Sequence, residues 1–510
     1  MAAPTAVEVS EAQAHLLQVV EQRAAEPPAR NGGGAMGKTF RVYDPDQLLL
    51  LSPSIQEWVP DGHLARFVFD LVEEALDLSA VYAGYEDERG SPPYDPRLMV
   101  KLLLYGYATG TPSSRKLETR SYDDVACRFL CADQHPDFRS IARFRRRHRE
   151  ALSELFVQAL RLCRQAGLLK LGTLALDGTK LRANASRRKA MSYARMIKAE
   201  AQLEAEIGAL RAQARALLER AEATDRSEDE RFGPERRGDE LPEELARRER
   251  RLAKIREAKE ALQAEAAERE RARRAELAAQ GKRPRLPPKG RDPFLPKPGA
   301  QRNFTDPDSK IMKTPDGSYQ QCYSGQAIVD STAQVIVVAK LSDEAADAEQ
   351  LEPALEQLGE NLQAIDAEPA QRAALLADAG YFSEDNLRSA AAHGLDPYIA
   401  TGRLKHSATP PPAPRGRIPK QATAKQRMAR KLRTKKGRAA YARRKTIVEP
   451  VFGQIVTVQD GRRLLLRGLG AARAEWRLHC ACHNLLKLFR AGGLRLFDLK
   501  RTVGAAPQPA

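Results

Sequence analysis

The chain has 510 residues, a formal net charge of +17 and an apolar fraction of 42%. That length is too great for one small core and predicts about two or three domains plus insertions, with enough apolar residues to fold most of the chain. No apolar run of about 18 residues exists to cross a bilayer, so the basic balance points to nucleic acid in the cytoplasm and not to a membrane.

Residues 1–38 are rich in Ala, Pro and Gly and lack the order of a signal peptide, so they read as a disordered tail. The six cysteines are scattered, and Cys480-Ala481-Cys482 lacks the spacing of a structural zinc site. Those thiols are expected to be core fillers of a reducing compartment.

Residues 39–166 read as a helical N-terminal domain. Asp95 before Pro96 is a good helix start, and Leu98, Met99, Leu102 and Leu103 follow as an apolar stripe. A second helix, opened by Ser140-Ile141-Ala142, carries Arg139, Arg143, Arg145 and Arg146. Its apolar Ile141 and Phe144 are expected to face a core while the arginines face either solvent or a DNA groove.

A strand is predicted from Leu171 to Leu181, and then the period changes. Leu203, Ile207, Leu210, Ala214 and Leu217 recur at steps of four and three, the rhythm of a coiled coil. A charged break between about Ala223 and Glu240 separates them from Leu245, Leu252, Ile255 and Leu262. Residues 193–280 thus read as an inserted antiparallel helical hairpin, and 281–310 as a Pro/Lys/Arg-rich linker.

Further on, strands are predicted at Tyr319–Val329 and Val335–Ala339, a helix at about Ala345–Leu358 and a buried strand at Ala373–Ala377. A helix at Ser383–His393 and a strand at Pro397–Ala400 complete the series. With the insertion set aside, the order is strand, strand, strand, helix, strand, helix, strand, then helices. That is the element order of an α/β, RNase H-like mixed sheet flanked by helices, built here from residues 167–192 and 311–490, with 491–510 as a tail. Between Gly402 and Lys445 stand sixteen Lys and Arg and no acid, a surface suited to a phosphate backbone.

Breaking or joining a DNA strand is an in-line displacement at phosphorus, served by two hard cations about 3.5–4 Å apart. Such cations want isolated carboxylates at the ends of structural elements. Three positions fit. Asp177 lies in the strand Leu174-Ala175-Leu176-Asp177-Gly178-Thr179-Lys180, Asp378 ends the apolar strand Leu375-Leu376-Ala377, and Glu449 is a lone acid in Ile447-Val448-Glu449-Pro450-Val451-Phe452. Each has a plain structural alternative, as a turn residue or a helix cap. Pro450 requires either that a helix start near Val448 or that it kink there.

At these residues the chain resembles the DDE-type insertion-sequence transposases of bacteria, over roughly Tyr43 to Phe489. The resemblance rests on three blocks. The first is Tyr94-Asp95-Pro96-Arg97-Leu98 with Phe138-Arg139-Ser140-Ile141-Ala142-Arg143-Phe144-Arg145. The second is Asp177-Gly178-Thr179-Lys180 with Ala377-Asp378-Ala379-Gly380-Tyr381. The third is Tyr441 to Gly453, continuing into Leu466-Arg467-Gly468 and His483-Asn484-Leu485. The resemblance implies that Asp177, Asp378 and Glu449 hold two Mg2+ (or Mn2+) ions. It implies DNA contacts by Lys180, Tyr441, Arg444 and Lys445, with the N-terminal arginines as a further DNA-binding group. It also implies cleavage at terminal inverted repeats, strand transfer into target DNA, and a homo-oligomeric synaptic complex. The family usually carries a Lys about two turns beyond the Glu. Val456 stands there instead, so that phosphate contact is either absent or made by Arg462 or Arg463. Two alternatives stay open: a nuclease of the same fold, and a DNA-binding relative without catalysis. His479 and His483, four apart on a helix, read as packed histidines before metal ligands.

Overall fold

The computed structural model describes residues 54–85, 93–232, 243–284, 292–402, 412 and 415–493. The expected N-terminal tail, the Gly-Pro break in the hairpin, the centre of the basic linker and most of the C-terminal tail lie outside them.

The first described part is helical: α1 (Leu64–Asp70), α2 (Ser79–Tyr82), α3 (Pro96–Ala108), α4 (Ser114–Asp123), α5 (Val125–Leu130), α6 (Phe138–Arg147) and α7 (Arg149–Gln165). The Asp95 carboxylate accepts from the amide of Arg97 at 2.7 Å, so α3 starts where the sequence places it. Asp137 caps α6 in the same way, through the amides of Arg139 (2.8 Å) and Ser140 (3.1 Å).

A mixed sheet follows. Its strands are β1 (Thr173–Arg182), β4 (Lys310–Lys313), β5 (Tyr319–Asp330), β6 (Ile336–Ser342), β7 (Ala374–Ala377) and β8 (Asp396–Ile399). β1 is central, antiparallel to β5 and parallel to β7, which in turn runs parallel to β8. The other edge of β5 is shared by β4 and β6. Helices α10 (Leu351–Ala364), α11 (Glu384–Ala392), α12 (Ala424–Arg433), α13 (Lys435–Gly453) and α14 (Leu469–Ala491) surround the sheet. The helix expected from Ala345 begins later, because the backbone before it is held elsewhere: the carbonyl of Ala345 accepts from Lys180 Nζ at 3.2 Å.

Between β1 and β4 lies a helix pair, α8 (Tyr193–Phe232) and α9 (Glu243–Ala279), on a two-stranded base of β2 (Ala190–Ser192) and β3 (Gln301–Asn303). Cross-links Tyr193–Gln263 (2.8 Å) and Arg211–Glu249 (2.7 Å) fix the pair as antiparallel. Leu203, Ile207, Leu252, Ile255 and Leu262 are buried between them, a core separate from that of the sheet. α8 continues through residues 223–232, the first part of the stretch expected to break it; charged side chains are tolerated in a helix, and no Gly or Pro occurs between Ala223 and Phe232.

One continuous core runs from the N-terminal helices into the sheet. α14 ties them together. Its Asn484 donates to the carbonyl and accepts from the amide of Ile336, both at 2.8 Å, in effect pairing with β6 as a strand would. Its Glu475, 2% exposed, accepts from the hydroxyl of Tyr107 (3.0 Å) and from the amides of Leu465 and Leu466 (2.8 Å each). Arg145 reaches the same tyrosine hydroxyl at 3.1 Å.

Removing a buried acceptor leaves every one of its donors unpaired. Glu475→Ala is therefore expected to lower the unfolding free energy by about 3–5 kcal/mol. A urea midpoint equal to that of the unmutated chain would contradict this.

Candidate active site

β1 enters the sheet as Thr173-Leu174-Ala175-Leu176, buried at its last three positions, and reaches Asp177 where burial eases. β7 runs beside it in register, Leu176 opposite Ala377, so the next residue on each strand is an aspartate. Adjacent strands lie about 4.8 Å apart, which brings Asp378, just past the carboxyl end of β7, beside Asp177 in the middle of β1. β7 stops there because Asp378 turns the chain. Its carboxylate accepts from the amide of Gly380 at 2.8 Å and caps a single turn, Ala379–Tyr381.

The Asp177 carboxylate accepts from the amide of Gly178 (2.9 Å) and from Arg444 Nη1 (2.5 Å). Burial pushes its pKa above the ordinary carboxylate value, and the charge of Asp378 adds to that; Arg444 opposes both. Arg444 comes from α13, which packs across β1, β5, β7 and β8. Burial works against its guanidinium charge, but Asp177, Tyr441 and Asp378 hold the proton on. Its Nε is buried with no partner. Tyr441, one turn earlier, is half-buried, and its hydroxyl is pushed up first by burial and then by the two aspartates, against Arg444.

A third carboxylate, Asp347, stands beside this pair and was missed in the sequence. It accepts from Lys180 Nζ (3.4 Å) and Gln326 Nε2 (3.3 Å). A Cβ on Gly380 would sit 3.0 Å from Asp378 Oδ1 and 3.1 Å from Asp347 Oδ2, so only glycine fits between the two carboxylates without displacing one. Gln326 is fully buried and accepts from the Tyr381 hydroxyl, which burial and then the charges of Asp347, Asp177 and Asp378 hold protonated. Gln326 gave no sign of it, because β5 also carries Gln320, Gln321 and Ser324.

The remaining expected residues are spread out. Glu449 is exposed on α13, and among the described residues no group of three or more His, Cys, Asp or Glu side chains is arranged to hold a metal. Pro450 neither starts nor ends that helix. It lies inside it, and the carbonyl of Thr446 that Pro450 cannot serve accepts instead from Gln334 Nε2 at 2.9 Å. Lys445 is exposed, as are Arg139, Arg143 and Arg146 on α6. Arg145 is a correction to the expected cationic face. At 6% exposed, it donates to the carbonyl of Pro112 (2.8 Å), to Ser114 and to Tyr107, so its charge is committed to the interior. Val456 is half-buried in the turn after α13. Lys180 faces Asp347, Ser324 and the carbonyl of Ala345.

Two family models match the chain. Residues 53–147 match a transposase domain (DUF772) and residues 299–485 a transposase DDE domain, together more than half of the chain. The chain belongs to the DDE transposases. Membership implies an enzyme that transposes DNA. No curated protein and no solved structure matches it. In this transposase Asp378 and Glu449 fall inside the matched DDE segment, whereas Asp177 falls in the gap between the two matches. Among the described residues no helix is long and apolar enough to cross a membrane.

His479 and His483 lie on α14 of the transposase and are fully buried. Burial lowers them to about 3 and about 4. His483 Nε2 is 3.0 Å from the carbonyl of Gln334. As the pH falls below about 6.5, the unfolded chain takes up protons that the buried imidazoles refuse, so stability drains away. For His483 alone this amounts to about 3 kcal/mol between pH 7 and 4. Urea unfolding at stepped pH should show the loss, and His483→Gln should flatten it; an identical slope in that variant would refute a neutral buried imidazole.

Proposed function

We propose that the chain cuts and joins DNA by metal-dependent phosphoryl transfer on an RNase H-like sheet, with Asp177 and Asp378 as metal-binding acids and Glu449 as the third. The observation carrying this reading is the register of β1 on β7, which sets Asp177 of β1 beside Asp378, the residue that follows β7. Their donor set fits a hard divalent cation. Magnesium typically takes one or two protein carboxylates, with water and phosphate oxygens completing its shell. The raised pKa of Asp177 marks a carboxylate short of positive charge, for which Arg444 is the present counter-charge. Bound there, a divalent ion would activate the attacking oxygen and stabilise the leaving one.

The chain's own residues supply the rest. Arg444, with a free buried Nε, turns toward a phosphate when a cation takes over Asp177. Lys445 and the exposed lysines at the start of α13 neutralise the backbone on either side. Arg139, Arg143 and Arg146 on α6 offer a second contact with the duplex. The helix pair is a coiled-coil insertion, and the synaptic complex is a homo-oligomer that binds terminal inverted repeats and target DNA.

The exposed Glu449 and the Arg444–Asp177 pair favour one alternative, a DNA-binding relative without catalysis. Duplexes carrying the flanking inverted repeats, incubated with Mg2+ and a target plasmid, separate the two. Cleavage and strand transfer are expected, abolished by EDTA. Asp177→Asn and Asp378→Asn should each cost several kcal/mol of transition-state stabilisation, on the order of 10³-fold in rate. Glu449→Gln should fall as far if it is the third acid. No cleavage by the unmutated chain would leave the binding reading, and cleavage without transfer a nuclease.

A further inference from the structure

Beyond the carboxylates, β1 runs on to Arg182, where the segment after α13 joins it. The amide of Arg182 donates to the carbonyl of Arg462 (3.0 Å), and the amide of Leu464 to the carbonyl of Arg182 (2.9 Å). A cavity of about 440 Å³ opens at this junction, with Arg182, Lys189, Arg463 and Arg467 on its walls. A second, of about 380 Å³, lies at the foot of the helix pair, with Arg188, Lys189, Arg195, Arg251 and Lys254 on its walls. Lys189 and Thr305 line both, so the two cavities are neighbours along one basic groove. No acidic side chain lines either.

Opposed charge is scarce as well as absent from the walls. Arg188, Lys189, Arg195, Arg251 and Lys254 are exposed, and their side chains make no ion pair or hydrogen bond with another described residue. The arginines at the sheet end are held ready: Arg463 donates to Asn184 Oδ1 and Arg467 to the carbonyl of Asn184, both at 3.0 Å. Asn184 is itself anchored to the carbonyl of Leu465 at 2.6 Å. Among the described residues Arg182 pairs with Asp316 at 3.1 Å, and the charge of Arg467 is felt by the buried Asp306. Forked donors fixed in place beside unpaired cations suit the repeated, singly charged oxygens of a phosphodiester chain better than one small anion.

We propose that this groove seats a DNA phosphate backbone at a second place, apart from the reacting phosphate. Asp177 and Arg182 are five residues apart on β1, about 17 Å, and on opposite faces of the strand. The identity of the polyanion rests on the proposed transposition; the site itself does not involve the carboxylate pair.

The test is binding of random-sequence duplex DNA to the full-length chain across a salt series, without metal. Two variants are read: Arg251→Glu with Lys254→Glu on the exposed side of α9, and Arg467→Ala at the sheet end. Each lost phosphate contact lowers the slope of log affinity on log salt by about 0.9. The paired variant should thus lose about two units of slope and bind on the order of tenfold more weakly. Arg467→Ala should lose about one. Unchanged slopes in both groove variants overturn the proposal. If the slopes fall but the unmutated chain cleaves nothing, the groove stands and catalysis fails. Normal cleavage with unchanged slopes defeats the groove alone.

Discussion

A carboxylate placed in the middle of the central strand needs a positive charge. Asp177 is set there by the pairing of β1 with β5 on one side and β7 on the other, and burial alone drives it toward the neutral form. A second aspartate beside it makes the deficit worse. The fold answers with Arg444, carried on a helix that must lie across the strand ends for the guanidinium to arrive. The position of α13 thus follows from an electrostatic requirement. The counter-charge is a side chain, not a fixed dipole of the backbone.

That helix is held by unusual means. Pro450 would weaken it, because a helix interior cannot spare an amide. The defect is absorbed by Gln334, from the turn between β5 and β6, whose side chain caps the carbonyl left without a donor. Gln334 also presents its carbonyl to His483 and its amide oxygen to Lys487 (2.7 Å). One turn residue thereby links α13 to α14. α14 in turn reaches β6 through Asn484 and the N-terminal helices through Glu475 and Tyr107. Rigid placement of a cationic helix beside acids is what pre-organisation of a charged site requires.

Much of this was legible in the sequence, and the reasons are local. Apolar runs ending in a lone acid gave β1 and β7 and their aspartates; Asp95 and Pro96 gave the start of α3; the four–three spacing gave both helices of the insertion, with Leu203, Ile207, Leu252 and Ile255 inside. Failures came where a tertiary partner decides. A helical arginine looks the same in sequence whether it meets solvent or a tyrosine hydroxyl, so Arg145 passed for part of a cationic face. Asp347 sits in the acidic stretch Ser342-Asp343-Glu344-Ala345-Ala346-Asp347, where nothing distinguishes it from its neighbours until Lys180 and Gln326 arrive from β1 and β5. The short strands β2, β3 and β4 have no apolar pattern to betray them, because each is defined by the strand it meets.

The place of the insertion carries its own logic. A helix pair of nearly forty residues a side, about 55–60 Å long at 1.5 Å per residue, leaves the sheet between β1 and β4. Had it emerged beside Asp378, it would have covered the acids. It leaves instead beyond Arg182, the last residue of β1 and five residues past Asp177, and its own core keeps it independent of the sheet. Its foot is then free to carry cations that no acid neutralises, and the sheet end meets it with Arg463 and Arg467. Val456 gives no charge to the turn after α13, but the next stretch of the same segment supplies two arginines to the groove. Positive charge thus stands at the foot of the insertion as well as beside the acids, where a long duplex would meet a second hold.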